Sequence, residues 1–455
     1  MSLMMKEIAL FLLISFLPPT CGQTVPGNGR PDRNSVTAQA LPGVESEHYA
    51  SVPSPAQAER GQISPELRKE TFDEVWRTVK EEHFDPTLGG VNWDKVRAEY
   101  RDRVLSATDD GEFYRLLNEM LATLPFSHLR VFTPDELDQP MSLAAAGGID
   151  IRVIDGAATI TRIEVDSPAS RAGLHPGFVI SQVDDVPTVK LFDKVTTDRA
   201  ALRGASDLRQ AVLKRMRGLP ETSFRIRYLD AVNSEHEVVL KREAREKEGR
   251  FDELAYLFDI EIKRLDLGIG YLRFNLFDEN VEMPLVAAIQ SMRGAPGMII
   301  DLRGNNGGEP SVMLKLAAQL LSKPALFGVV RSRKGVAQIK VKSVSKKYRG
   351  QVVILIDGTS FSAAEEFAAS MRELGRATIV GEKTPGVDLA AVFRMLPTGA
   401  YLEYVEGEPR TPKGVVIEGR GVTPDIQVSL TRDLLLKGVD QQLEAAVAAI
   451  NKPPR

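Results

Sequence analysis

The chain has 455 residues, with hydrophobic residues at 43%, charged residues at 26% and a formal net charge of −4. That length and apolar fraction can bury several cores, about three domains at ordinary domain size, and exclude a chain that is disordered throughout. Composition shows no basic excess, so nucleic acid is not an expected partner.

The N-terminus reads MSLMMKEIALFLLISFLPPTCGQ: one lysine, Lys6, an apolar run from Ile8 to Leu17, then a Pro/Thr/Cys/Gly break. Such a run is shorter than the about 20 residues a membrane-spanning helix needs, but it suits the core of a signal peptide over residues 1–22. Export to the periplasm or extracellular space is the expectation. Cys21 is the only cysteine, so no internal disulfide can form. Membrane attachment through a lipid on Cys21, as in a lipoprotein, is one alternative. Pro18, Pro19 and Thr20 fit the small-residue lipoprotein signal poorly, and plain cleavage near Gly22 or an incidental thiol are the others. Residues 23–64, rich in Pro, Gly, Ser, Ala and Asn without apolar periodicity, read as a disordered linker.

Residues 65–135 switch to helical spacing: Phe72, Val75, Trp76 and Val79, then Val96, Tyr100 and Val104, then Phe113, Leu116, Leu117 and Met120. Three amphipathic helices forming an N-terminal helical cap are predicted, with His83 structural or solvated. Residues 141–243 alternate as strands do, around Ile149–Val153, Ala158–Val165 and Val179–Val183. A short helix over Ala169–Ala172 ends at Gly173, a helix covers Ser206–Met216, and a final strand covers Phe224–Tyr228. From 250 to 455 strands and helices alternate: GIGYLRF, a helix Val281–Met292, GMIIDLR, a helix Ser311–Leu321, QVVILID, a helix Ala363–Leu374. Later strands near Leu389–Leu396 and Ala400–Tyr404 follow. This predicts an α/β (α+β) protein, a central sheet with flanking helices, carrying a β-domain and the helical cap.

Four segments of this chain can carry chemistry. QVVILIDGTSFSAAEEF places Ser362 at a helix start, where unpaired N–H groups and the positive dipole end favour a developing oxyanion. The same Ser362 and Glu365 have the spacing of a capping box, an equally good structural explanation. In GMIIDLRGNNGGEP a strand ends in a Gly/Asn-rich loop where Gly307 or Gly308 lets a backbone amide approach a ligand closely. Without a following GK[ST] it is not a P-loop. LATLPFSHLRVF offers Ser127 and His128, and histidine is the usual base for a serine nucleophile. GVVIEGRGVTPDIQV contains Glu418, which is either part of a site or an exposed turn residue.

The D-x-R-x-N-x-G-G loop and the S-x-x-E helix together resemble the C-terminal processing (tail-specific) protease family, and SPASRAGLHPG resembles the most recognisable part of a PDZ domain. The resemblance covers about two thirds of the chain. It implies a ClpP/crotonase-like protease core with an inserted PDZ domain, and a serine endopeptidase acting on exported or unfolded polypeptides. Ser362 takes the nucleophile position, with the amides of Ala363 and of Gly307 or Gly308 as oxyanion donors. In the PDZ unit, Gly148-Ile149-Asp150-Ile151 is the expected peptide-binding loop, with Asp150 where glycine is often found and Phe178 in place of the usual acidic residue. The family lysine of T-x-G-K is missing: Thr384-Pro385-Gly386 is followed by Val387. The tricorn-like branch resembles this chain instead, since there an S-H pair supplies the base and E-x-x-G-V-x-P-D the glutamate. That implies Ser362 as nucleophile, His128 as base, and Ser127 and Glu418 as orienting groups. Two alternatives stay open: a non-catalytic peptide-binding member of the fold, favoured by Val387, and a base supplied by Lys383. No cofactor is expected, nor a metal, since His48, His83, His128, His175 and His236 lack ligand spacing. Assembly into a homo-oligomer is left open.

Overall fold

The computed structural model describes residues 62–137, 140–192, 200–243 and 256–451. The leader, Cys21 and nearly all of the linker lie outside the described residues. Among the described residues no helix is long and apolar enough to cross a membrane.

Three helices open this part: α1 (Pro65–Glu82), α2 (Trp93–Leu105) and α3 (Asp110–Leu121). Each begins at a side-chain cap: Ser64 accepts from Leu67 N, Asn92 from Lys95 N, and Asp109 from Glu112 N. The expected apolar stripes face inward, with Phe72, Val75, Val79, Phe113, Leu117 and Met120 fully buried. His83 ends α1 and is itself fully buried, its ring 4.8 Å from Phe84 and 4.5 Å from Phe126. Its role is therefore structural rather than solvated. Burial pushes its pKa down to about 4.

After β1 (Arg130–Phe132) and α4 (Pro134–Leu137) comes a six-stranded antiparallel unit. It contains β2 (Ile149–Ile154), β3 (Ala157–Ile163), α5 (Pro168–Arg171), β4 (Val179–Val183), β5 (Val186–Pro187), α6 (Val189–Phe192), α7 (Ala200–Met216), β6 (Ser223–Leu229) and β7 (Glu235–Lys241). The strand order is β2-β3-β4-β6-β7, with β5 beside β4. Phe224–Tyr228 is thus not the last strand: β7 pairs with β6 along its whole length. Its sequence EHEVVLK is exposed at most positions, so it lacks the apolar alternation that would announce a strand.

The remaining elements are β8 (Ile260–Arg264), β9 (Gly270–Phe274), α8 (Glu279–Ser291), β10 (Gly297–Asp301), α9 (Pro310–Leu320), β11 (Ala325–Ser332), β12 (Gly335–Val341), β13 (Gln351–Ile356), α10 (Ala363–Glu373), β14 (Thr378–Gly381), β15 (Ala390–Met395), β16 (Tyr401–Arg410), β17 (Ile426–Gln427), α11 (Arg432–Leu436) and α12 (Gln441–Ile450). The central sheet runs β17-β14-β13-β10-β9-β8 and is parallel except for β8. Its inner strands β9, β10 and β13 are buried on both faces, as a doubly covered parallel sheet requires. Leu272, Met298, Ile300 and Ile354 pack under α8, α9 and α10, while Tyr271, Ile299, Val353 and Leu355 face Ala446 and Ile450 of α12. A second sheet, β1-β16-β11-β12 with β15 on β16, joins the segment after the helical cap to the far end of the chain.

A buried ion cluster ties the β2–β7 unit to the central sheet. Asp150, on β2 and 1% exposed, meets Arg152 at 2.8 Å, Arg209 of α7 at 2.9 Å and Arg273 of β9 at 2.8 Å. Arg152 also pairs with Asp357, and Arg273 with Asp301. Burial opposes the charge on Asp150, but the three arginines outweigh it and hold the carboxyl well below the usual range. Removing one partner of such a cluster leaves uncompensated charge, so Asp150→Ala is expected to cost about 3–5 kcal/mol in urea unfolding at pH 7. His83 gives a second expectation. Because the unfolded imidazole, near 6.5, takes its proton before the folded one does, stability is complete above that pH and is lost as pH falls toward about 4. Over that interval the wild type should lose up to about 1.4 kcal/mol per pH unit more than His83→Phe, read from urea midpoints at successive pH values.

Candidate active site

Four chain-distant segments meet at one end of the central sheet. Ser362 stands at the N-cap of α10, directly beyond the turn that leaves β13. Its backbone is strained, with φ 50° and ψ −122°. Strain of this kind persists only where the surroundings over-determine it. Here the Ser362 N–H is held by Val387 O at 2.8 Å and by Glu365 Oε2 at 3.2 Å. Ser362 and Glu365 occupy capping-box positions, with the Glu365 carboxylate accepting from the Ser362 N–H and Glu365 N also bonding the Ser362 carbonyl oxygen at 2.8 Å.

Glu365 organises the neighbouring loop as well. Its carboxylate accepts from Thr384 Oγ1, from Gly386 N at 2.8 Å and from Val387 N at 2.8 Å. Burial pushes this carboxyl up to about 7, against the pull of those donors. Val387 is therefore where the family lysine would stand, its backbone against Ser362 on one side and Glu365 on the other. Its side chain is 9% exposed and carries no basic atom. Lys383 is exposed, on the outer side of the same turn.

Ser127 and His128 lie between α3 and β1. Pairing of β1 with β16 brings them to the loop after β16, which contains Glu418. Glu418 Oε1 accepts from Ser127 N at 2.9 Å, and Oε2 accepts from Ser127 Oγ at 2.9 Å and from Asp388 N at 2.8 Å. Ser127 Oγ is 2.7 Å from His128 Nδ1. A hydroxyl has one proton, and a carboxylate can only accept; if Ser127 Oγ donates to Glu418, it must accept from Nδ1–H. That assigns the neutral imidazole the tautomer with its lone pair on Nε2, the form a general base needs. His128 also has a positive φ of 56°.

The Gly/Asn loop packs against the nucleophile segment. A Cβ on Gly307, at φ 84°, would lie 2.7 Å from Ser362 Cβ and 3.0 Å from Ala363 N, so only glycine fits. The Gly307 N–H donates to Asn305 Oδ1 at 2.9 Å, and Phe361 N donates to Asn305 O at 2.9 Å. Of the two glycines considered, Gly307 therefore serves the loop itself in this state, which turns attention to Gly308.

The structure thus joins Ser127, His128 and Glu418 by direct hydrogen bonds, and links Ser362 to them through Val387 and Asp388. The expected peptide-binding loop is different. Ile149 and Ile151 are fully buried and Asp150 sits inside the ion cluster. The Ile151 carbonyl is occupied by Arg152 Nη1 at 2.8 Å and Arg209 Nε at 3.2 Å. Gly148 is turned into the unit, where a Cβ would meet Ser167 at 2.2 Å. The Ile151 N–H donates to Asp150 Oδ1 at 2.9 Å and the Gly148 N–H to Leu143 O at 2.8 Å, so the backbone groups an added peptide would use at these positions are already paired. Sequence reading missed Asn305, Thr384 and the loop-binding role of Glu365. The S-x-x-E spacing did mark Glu365, but as a cap.

Residues 268–428 match the family model described as Peptidase family S41, and residues 64–122 match that of the Tricorn protease C1 domain. The chain is 27% identical over 360 residues to a carboxyl-terminal-processing protease of Synechocystis sp., covering 77% of this chain and 78% of that one. It is also 27% identical over 373 residues to the chloroplastic carboxyl-terminal-processing peptidase 2 of Arabidopsis thaliana, covering 78% and 67%. Among solved structures, the photosystem II D1 C-terminal processing protease aligns with a TM-score of 0.55 at 20% identity over 85% of this chain and 97% of that one. Mature CPAF complexed with lactacystin aligns with a TM-score of 0.58 at 15% identity, over 85% and 98%. Both support the mixed α/β fold. Residues 268–428 thus form an S41-type peptidase domain and residues 64–122 a tricorn C1-type domain, and the chain is a serine-type peptidase similar to the carboxyl-terminal-processing proteases.

Proposed function

We propose that Ser362 is the nucleophile of an endopeptidase in which His128 is the general base and Ser127 and Glu418 orient it. The observation that carries this reading is the hydrogen-bond chain from Glu418 through Ser127 to His128, which assigns the lone pair to Nε2. In this scheme Ser362 Oγ attacks the scissile carbonyl, Nε2 takes its proton and returns it to the leaving amine, and Glu418 stabilises the imidazolium through Ser127. The amides of Gly308 and Ala363, the latter opening α10, are the proposed oxyanion donors.

We further infer that the substrates are exported or unfolded polypeptides met outside the cytoplasm. Support comes from the apolar run Ile8–Leu17 near the N-terminus and from the relatives' names, which specify processing of carboxyl termini. The β2–β7 unit, PDZ-like in its SPASRAGL segment, is proposed to hold the Gly/Asn loop in place. Its β2 edge is closed by Arg152 and Arg209, which argues against capture of a peptide at Gly148–Ile151 in this state.

Reaction with a fluorophosphonate tests the nucleophile directly, since stoichiometric labelling of Ser362 is expected despite Val387 at the position of the family lysine. Casein or peptide cleavage should fall ~10⁴ to 10⁶-fold in Ser362→Ala and in His128→Ala. Glu418→Gln, which disturbs the tautomer while preserving shape, should lower kcat on the order of 10⁴-fold with little change in KM. Activity surviving in both Ser362→Ala and His128→Ala would overturn the assignment.

A further inference from the structure

Between Glu309 and Asp357 the chain has ten lysines and arginines and not one acid, although its net charge is −4. Some of these cations have structural partners: Lys315 pairs with Glu282 at 2.7 Å, and Arg333 donates to the carbonyls of Lys80 and His83 at the end of α1. Most of the others gather at the far end of β12 and in the loop after it. Lys323, Lys340, Lys342, Lys346 and Arg349 are exposed, and neither they nor Lys347 make an ion pair among the described residues. Lys347, Arg349 and Arg376 line a cavity of about 410 Å³ with Ser322, over buried Leu320 and Tyr348, and no acid lines it among the described residues. The loop is fixed before anything binds. Val344 N and Tyr348 N donate to Ala318 O and Gln319 O at 3.2 and 2.8 Å, and Ser343 Oγ and Lys347 Nζ to Leu321 O and Ser322 O at 2.6 and 2.5 Å. Arg376 uses Nε and Nη2 on the carbonyls of Leu320, Tyr348 and Gly350 and makes no hydrogen bond through Nη1 among the described residues. The carbonyl end of α9 explains Lys347 and Arg376, and a lysine that keeps an exposed edge from pairing with another copy explains Lys340. Neither explains Lys323, Lys342, Lys346 and Arg349, like charges held together with no counter-charge.

We propose that β12 and the loop 342–349 form an exosite that holds an acidic, unfolded segment of the substrate polypeptide while another part of the same chain enters at Ser362. β12 is the edge of its sheet, paired with β11 and with no strand on its outer side among the described residues. An extended acidic peptide answers both features: its backbone pairs with the open edge and its carboxylates meet the lysines and the cavity. A lipid headgroup would answer the charge and leave the edge unpaired. β11 in turn packs on α10, the helix that Ser362 opens, since a Cβ on Gly328 would lie 3.7 Å from Glu366 Oε1. Neighbouring strands are ~4.8 Å apart, so the edge lies one strand spacing beyond the strand that touches α10. A segment held there keeps the rest of its chain at high effective concentration beside the serine. The part this site plays in cleavage rests on the peptidase reading above; the binding of an acidic segment does not.

Binding is read by fluorescence anisotropy on the full-length Ser362→Ala chain, which cannot turn the probe over. The probes are a labelled, unstructured peptide of alternating Glu and Ser and the same peptide with Gln for Glu. The Glu peptide is expected to bind at least about tenfold more tightly, and to lose that advantage as salt rises, a measurement that needs no further variant. Charge reversal at three exposed positions, Lys342→Glu, Lys346→Glu and Arg349→Glu together, should abolish the advantage. With Ser362 in place, the same three changes should lower kcat/KM for a long acidic unfolded substrate about tenfold and leave cleavage of a short uncharged peptide as it was, which also shows the variant folded. Equal binding of the two peptides, indifference to salt, or a triple variant that binds and cleaves as the wild type does would overturn the exosite. Capture by vesicles of phosphatidylglycerol and phosphatidylcholine that is lost in the triple variant, with no binding of the Glu peptide, would overturn it in favour of a membrane surface. Binding of the Glu peptide by a wild type that cleaves nothing would support the binding site and overturn the peptidase reading, and with it the site's part in cleavage.

Discussion

The carboxylate of Glu365 is the interaction on which the site depends. It is buried, yet it gathers the Ser362 N–H, the Thr384 hydroxyl and the amides of Gly386 and Val387 onto two oxygens. Backbone N–H groups buried in a loop must be paired, and a single carboxylate that pairs several fixes the loop in one shape. Thr384 extends the set, since its N–H bonds the Val422 carbonyl at 3.1 Å and its hydroxyl accepts from Val422 N at 2.7 Å. The turn carrying Glu418 is thereby stitched to the loop carrying Val387. Glu418 then does for Ser127 what Glu365 does for Ser362. The strained φ at Ser362 follows from this arrangement, because its N–H is held from two sides while the chain must still enter α10.

The Asp150 cluster imposes a second constraint, on the opposite flank of the Gly/Asn loop. Arg152 reaches Asp357, which also accepts from Gly304 N at 3.3 Å and Thr359 N at 2.8 Å. Gln210 of α7 bonds Asn306 at 2.8 Å. Burying this many charges is a poor way to gain net stability, since apolar packing would serve as well. What it provides is geometry: the ions are satisfied in one arrangement of the β2–β7 unit against the loop, and a shifted unit would strand several guanidinium groups.

Much of the architecture is legible in the sequence because its signals are local. The core strands GYLRF, GMIID and QVVILI are continuous apolar runs, and the helices between them carry caps and stripes. The hairpin β11–β12 and strand β7 were not visible: β12 and β7 are exposed at most positions and lack a buried, apolar alternation, and pairing rather than periodicity makes them strands. The site divides in the same way. Ser362, Ser127, His128 and Glu418 could be named from short motifs. The ion cluster around Asp150 could not, because a sequence cannot reveal that Arg209 and Arg273, 59 and 123 residues away, arrive at its carboxylate. A residue in a loop motif became a residue in a core.

Valine at 387, where the resemblance places a lysine, is consistent with the electrostatics around it. A lysine works as a base only when burial or neighbouring positive charge depresses its pKa toward neutrality. Here the ionisable neighbours of position 387 are carboxyls, Glu365, Asp388 and Glu418, which would not depress an ammonium toward neutrality. Valine at that site removes a group the surroundings would disarm. The same acids suit a histidine entering from the β1 segment, because imidazole starts near neutrality and the charge it gains during attack is one that Glu418, through Ser127, is placed to favour. In the proposed scheme the choice of base and the carboxyls around it are one feature of the site, and lysine placed at 387 alone would not supply the other chemistry.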